Sequence, residues 1–252
     1  MRIMISGIGG RMGSVLASLA SEGAYGARLI CGVDRSAEHC TVPCFRSVRN
    51  ARTDVDCVID FSSHTQTDEL LSFCTSNSIP LVIATTGQTD GENAMIERAS
   101  KHIPIFMSAN YSVGIAILTG FAKKLAKAMP DAEIEIVETH HDGKADAPSG
   151  TAAAIADAVR TIRPELTVHP GRTGYGIRSK TEIGIHSVRI AASAGEHEVI
   201  FSTPAETVRL THEATDRRLY ADGALRAARF LCSLPKGSAG LYTMESMIGD
   251  SL

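Results

Sequence analysis

The sequence predicts an α/β protein, a Rossmann-type doubly wound parallel sheet joined to an α+β lobe with an open, mainly antiparallel sheet. Three observations carry that expectation. A glycine turn, G7-I-G-G10-R-M-G13, stands between an apolar run and a helical pattern. Short apolar runs and helical patterns then alternate as far as Met107. From Thr181 the spacing changes to the two-residue alternation of strands with one wet face.

Residues 2–6 form the first strand. Gly7 permits the turn after it, Gly10 lets a pyrophosphate approach the backbone, and Gly13 lets the helix 14–22 pack on the strand. The start of that helix offers N–H groups and a partial positive charge to phosphates. The second strand, 27–33, ends in Asp34, 21 residues beyond Gly13, where dinucleotide folds place an acidic ribose ligand. Asp34 suits the ribose hydroxyls of NAD, whereas Arg35 and Arg11 suit the 2′-phosphate of NADP, so NADH and NADPH both stay open.

Strands at 55–60, 81–84 and 103–107 alternate with helices at 65–77 and 92–101. Ligands of such sheets sit beyond the carboxyl ends of the strands, which selects D60-F-S-S, A84-T-T-G87 and S108-A-N-Y-S. Thr85 and Thr86 offer hydroxyls, while Asn110 and Tyr111 offer an amide and a ring to flank a nicotinamide. A plain turn at 85–87 is the competing reading.

A long helix over 112–129 has Val113, Ile117, Leu118, Phe121, Leu125 and Met129 as its apolar stripe, and Pro130 stops it. The strand 133–139 then sets Glu133, Glu135 and Glu138 against Ile134, Ile136 and Val137. It delivers H140-H-D-G-K-A-D-A-P-S-G-T151, a loop leading into a helix over 152–161. Ser149 reads as the N-cap, with Gly150 and Thr151 presenting N–H groups to an anion. Lys144 and His141 add positive charge, which suits a carboxylate-bearing substrate with a neighbouring atom to be protonated. Two other readings stand beside that one. The histidines are structural and Lys144 is solvated, or His140 and His141 bind a metal, which adjacent positions pointing opposite ways disfavour. No G-x-S-x-G elbow surrounds Ser149, so a nucleophile is not expected.

Strands at 183–188, 198–202 and 207–211 complete the second sheet, whose alternating face can pair with a second copy, so a homo-oligomer is expected. A helix over 217–233 and the segment 240–249 close the chain.

Composition narrows the partners. The 252 residues are 44% hydrophobic and 21% charged with a net charge of −3, and no basic cluster with interleaved aromatics points to nucleic acid. No apolar run reaches the roughly 18 residues of a membrane span, and no signal peptide is seen, so a cytoplasmic protein is expected. The six cysteines lack C-x2-C spacing and read as reduced thiols, with no metal site.

The H140-H-x-x-K-x-D-A-P-S-G-T-A run with the G7-x-G-G-R-M-G loop resembles the dihydrodipicolinate (4-hydroxy-tetrahydrodipicolinate) reductase family. The resemblance extends over D60-F-S, T85-T-G, A109-N-Y-S-V-G, S187-V-R, A194-G-E-H197, T211-H-E-A and G240-L-Y-x-M, nearly the whole chain. It implies that NAD(P)H delivers hydride to C4 of a cyclic dicarboxylate in lysine and diaminopimelate biosynthesis. By that likeness His140 is a proton donor or acceptor, Lys144 the proton donor, His141 a substrate ligand, and Gly150 with Thr151 the carboxylate clamp. Cofactor contacts would come from Gly7, Ile8, Gly9, Gly10, Arg11 and Met12, from Asp34 and Arg35, and from Ala84, Thr85 and Thr86. Ser108, Ala109, Asn110 and Tyr111 would complete them. Residues 1–110 with 216–252 would then be the dinucleotide-binding domain, and 111–215 the substrate-binding and oligomerisation domain of a homotetramer. The chain departs from the family pattern at Asp142 and Gly143, where a further basic residue often precedes the lysine, and at Ala84, where glycine is usual.

Overall fold

A computed structural model describes residues 1–36 and 40–249. The chain divides into two compact units, Met1–Tyr111 with Arg218–Gly249, and Ser112–Arg217.

The first unit is built on seven strands: β1 (Arg2–Ser6), β2 (Arg28–Val33), β3 (Cys44–Phe45), β4 (Cys57–Asp60), β5 (Leu81–Ile83), β6 (Pro104–Met107) and the last strand of the chain, β12 (Gly240–Tyr242). Their order is β12-β6-β5-β4-β1-β2-β3, and every pairing is parallel. A parallel sheet is buried on both faces, which is why these strands read as continuous apolar runs. Ile3, Met4, Ile5, Val58 and Ile59 have no exposed surface at all. Each contributes about 1.5–3 kcal/mol of hydrophobic stabilisation.

Strand order reverses between β1 and β4, so the loops after those two strands lie side by side at the carboxyl edge. Helix α1 (Arg11–Ser21) packs tightly after the first of them: a Cβ on Gly13 would fall 2.0 Å from the Gly7 carbonyl oxygen. Helices α2 (Thr67–Ser76), α3 (Asp90–Ser100) and α6 (Arg218–Ser233) complete the unit. On α6, a Cβ at Gly223 would fall 1.7 Å from the Tyr111 carbonyl oxygen. Strands β3 and β12 were not expected, because two or three residues are too few to show a period.

The second unit holds α4 (Val113–Ala128), β7 (Glu133–His140), α5 (Gly150–Arg160), β8 (Thr167–Pro170), β9 (Glu182–Arg189), β10 (Glu196–Ser202) and β11 (Thr207–Glu213). Its sheet runs β11-β10-β7-β9-β8. Strand β10 is antiparallel to β11 and β7, whereas β9 is parallel to β7 and β8, so the sheet is mixed. Strands β9 and β10 flank β7 rather than pairing with each other. The crossover through α5 brings the chain back in the direction it left, which makes β9 parallel to β7. Strand β8 escaped notice because it is an exposed edge strand with no buried residue to mark a face. Ile134 and Ile136 on β7, Ile183 and Ile185 on β9, and Val199 and Phe201 on β10 pack with Leu118, Ala122 and Ala126 of α4 and Ile155, Ala156 and Val159 of α5. Alanines on both helices allow that close approach.

Candidate active site

Strand β7 places the histidines. Alternation puts Ile134, Ile136 and Glu138 on one face, so a carboxylate occupies a position that two isoleucines mark as core. Glu138 is fully buried and fully partnered. Its Oε1 and Oε2 each accept from Arg189 of β9 at 2.9 Å, Oε2 also accepts from Nδ1 of His140 at 2.5 Å, and Oε1 accepts from the Ser149 backbone N–H at 3.2 Å. Burial alone would push the Glu138 carboxyl up, but Arg189, Ser187 and His140 outweigh it and bring it down to about 2.

The loop after β7 turns sharply, with the Lys144 N–H donating to the His141 carbonyl at 3.1 Å. Lys144 Nζ lies 2.7 Å from Asp146 Oδ1 and 2.9 Å from Oδ2, and Lys144 in turn holds the Asp146 carboxyl below its ordinary range. His141 Nε2 lies 3.2 Å from an Arg217 guanidinium nitrogen. Ser149 caps α5 as expected, its Oγ accepting from the Ala152 N–H at 3.1 Å. Around a Cβ on Gly150 there would be open space, so the first turn of α5 can be approached closely. The unit thus brings His140, His141, Lys144, Gly150 and Thr151 into one loop and helix start: cationic groups and backbone N–H donors suited to an anion, beside side chains that carry protons.

His197 of β10 belongs to the same cluster. Its ring stands edge-on to His140 with centroids 5.1 Å apart, and its Nε2 lies 3.2 Å from Ser149 Oγ. Burial, reinforced by the neighbouring His140 charge, lowers its pKa to about 4, so it is neutral at physiological pH.

In the first unit, Gly7 adopts φ +78°, the left-handed conformation that the turn needs. Gly9, Gly10 and Arg11 are exposed, and Met12 is half-buried. The Ile8 side chain is buried against Gly32, and its N–H donates to the Val33 carbonyl at 3.4 Å. Gly10 is the N-cap of α1 and brings no side chain to its N–H groups. The Asp34 carboxylate is held at the loop, Oδ2 accepting from Gly9 N–H at 2.9 Å and Oδ1 from Ser36 N–H at 3.0 Å, with Arg35 exposed beside it. This cradle fits a dinucleotide: glycine backbone and a helix start for phosphates, then an acceptor for ribose hydroxyls.

The loop after β4 is tied to the loop after β5 by Asp60, which is 2% exposed. Its Oδ1 accepts from Ser62 Oγ at 2.5 Å and its Oδ2 from Thr85 Oγ1 at 2.7 Å. Burial pushes this carboxyl up, and those donors hold it back. Ala84 and Thr85 are half-buried, Thr86 is exposed, and Ser108 Oγ donates to the Asn110 carbonyl at 2.9 Å with Ala109 exposed between them. Tyr111 corrects an expectation. Its ring is a core side chain packed near Phe106, its hydroxyl donating to the Ile83 carbonyl at 2.6 Å, so the ring is not available to flank a nicotinamide.

Residues 1–111 match the family model for the N-terminus of dihydrodipicolinate reductase, and residues 114–248 match that for its C-terminus. The chain belongs to the dihydrodipicolinate reductase family. The 4-hydroxy-tetrahydrodipicolinate reductase of Caldanaerobacter subterraneus subsp. tengcongensis is 42% identical over 249 residues, covering 98% of each chain. That of Clostridium tetani is 38% identical over 252 residues, covering 99% of this chain and 97% of its own. A dipicolinate-bound dihydrodipicolinate reductase from Paenisporosarcina sp. TG-14 superposes with a TM-score of 0.83 over 99% of both chains at 24% identity, a likeness of fold.

As a member of the dihydrodipicolinate reductase family the protein is an oxidoreductase. Sequence reading did not single out Glu138, Arg189 or His197 as site residues. A signal for Glu138 was present: among the alternating residues of β7 it falls in step with Ile134 and Ile136, not with Glu133 and Glu135. Arg189 and His197 lie on other strands, and only the pairing of β9 and β10 with β7 brings them to Glu138.

Proposed function

We propose that the protein is a 4-hydroxy-tetrahydrodipicolinate reductase, producing tetrahydrodipicolinate for lysine and diaminopimelate synthesis. The observation that carries the reading is the loop that sets Lys144 and His140 beside the capped start of α5. The Gly150 and Thr151 backbone N–H groups at the positive end of α5 clamp a substrate carboxylate, and His141 contributes a further polar contact. A bound nicotinamide supplies the hydride that C4 receives. Lys144 donates the proton that accompanies reduction, and His140 gives or takes a proton beside it. Binding of the anionic substrate draws Lys144 away from Asp146, with which it forms an ion pair.

Gly7, Ile8, Gly9, Gly10, Arg11 and Met12 cradle the cofactor phosphates, and Asp34 accepts from the ribose hydroxyls. Ala84, Thr85, Thr86 and Ser108 to Tyr111 contact the rest, Tyr111 through its backbone. A fixed carboxylate at residue 34 favours NADH, while Arg11 and Arg35 leave NADPH usable. A homotetramer is supported by apolar side chains left uncovered in the second unit, with Tyr175 and Ile177 fully exposed.

The deciding experiment follows NADH and NADPH oxidation with the condensation product of pyruvate and aspartate semialdehyde. Oxidation that depends on that substrate supports the reading, and none with either cofactor overturns it.

A further inference from the structure

We infer that Glu138 is a positioning residue for proton transfer: a carboxylate beneath the loop that fixes which nitrogen of His140 carries the hydrogen and anchors that ring to the start of α5. This rests on the role given to His140 above and goes beyond it, because Glu138 touches no reacting atom.

Glu138 and Arg189 form an ion pair within the second sheet. A fully buried carboxylate gripped by both arms of a guanidinium is ionised, and an ionised carboxylate only accepts hydrogen bonds. The proton in the 2.5 Å contact with His140 therefore sits on Nδ1 of the ring. Nε2 is then the nitrogen left to exchange a proton with a ligand. Space is kept for it, since a Cβ on Gly195 would lie 3.0 Å from Nε2.

Arg189 cannot drift from its place. Its other hydrogen bonds go to the carbonyls of Asp146 at 2.6 Å and Val188 at 2.8 Å, so it also pins the loop that carries Lys144. The remaining contact of Glu138, the Ser149 N–H, belongs to the N-cap of α5. One carboxylate thus sets the tautomer of the ring and holds it in fixed relation to the helix start where a substrate carboxylate would bind. His197 faces the same ring edge-on from β10, held by Ser149 Oγ, and Ser187 of β9 reaches Glu138 from the other side. A carboxylate behind a proton-carrying imidazole stabilises the charged ring without itself taking the proton.

The test uses the full-length protein labelled with ring-15N histidine. Long-range proton–nitrogen correlations distinguish Nδ1–H from Nε2–H rings, and the His140 signals are those absent from His140→Asn. Wild type is expected to show His140 with its proton on Nδ1. Glu138→Gln, whose amide can donate or accept, is expected to lose the single tautomer and to drop kcat on the order of 10- to 100-fold, with KM for NADH within twofold of wild type. A wild-type His140 protonated only on Nε2 overturns the inference, as does a folded Glu138→Gln with wild-type kcat. Should that variant fail to fold, the wild-type spectrum decides alone. The reductase reading fails separately: no substrate-dependent oxidation by wild type removes it, whatever the tautomer.

Discussion

Gly195 lies against Nε2 of His140, so close that a Cβ there would stand 3.0 Å from the nitrogen, and its φ of +136° is one that side chains rarely adopt. Gly195→Ala therefore acts twice. The backbone strain costs on the order of 1–3 kcal/mol, and the methyl group crowds the nitrogen proposed to exchange a proton with substrate. The expected result is a Tm lowered by several degrees with kcat reduced at least about 10-fold. Unchanged turnover in the purified variant would show that Nε2 is not used.

Lys144→Ala and His140→Ala are each expected to lower kcat by about 10²- to 10⁴-fold, the range for a positioned proton donor. Substrate-dependent NADH oxidation measures this. Full turnover by Lys144→Ala would remove it as the donor.

At Gly150 stability and binding should part company. Nothing lies within 4 Å of the Cβ that Gly150→Ala would add, and alanine suits a helix better, so thermal stability is expected to hold or rise slightly. The same methyl group occupies the approach to the α5 N–H groups, and KM for the dicarboxylate is expected to rise 10-fold or more. A KM unchanged in this variant would place the carboxylate elsewhere.

Acid should weaken the fold in two stages. His197 has a folded-state pKa of about 4 against an ordinary 6.5, so between those values the unfolded chain binds the extra proton and stability falls as pH drops. The loss has a ceiling of about 3 kcal/mol and is complete once the folded state also protonates. Glu138 adds a second fall, from its ordinary 4.5 downward to about 2, as unfolded carboxylates protonate first. Urea unfolding at pH 7, 5.5 and 4.5 reads the first stage, and His197→Gln should flatten it. A variant with the same slope as wild type would assign the loss to other groups.

Asp34→Ala removes the acceptor at the end of β2 and releases Gly9 N–H, while Arg11 and Arg35 remain. KM for NADH is expected to rise about 10-fold and the preference to move toward NADPH. Parallel titrations with the two cofactors measure the ratio, and an unaltered ratio would show that Asp34 does not face the ribose.

How much of this could be read beforehand depends on the distance between partners. The glycine turn, the Ser149 cap and the alternation of strand and helix are local, set by neighbours three or four residues away, and periodicity exposes them. The environment of His140 is different. Glu138 is two residues from it, but Arg189 and His197 come from strands whose order in the sheet is not written in any single stretch. The ring of Tyr111 misled for a related reason: a tyrosine at the end of a strand looks exposed until the carbonyl of Ile83, 28 residues earlier, takes its hydroxyl. The ion pair of Lys144 with Asp146, two residues on, was not singled out either.

Asp60 makes the segments after β4 and β5 a single part rather than two interchangeable ones. Grafting a foreign sequence over 84–86 to change cofactor handling would delete the Thr85 hydroxyl and leave a buried carboxylate short of a donor. Such a transplant succeeds only if residue 60, its Ser62 partner and the new segment are exchanged together. The natural module for redesign is therefore two separate pieces of chain, 60–62 and 84–86, that meet at one oxygen pair.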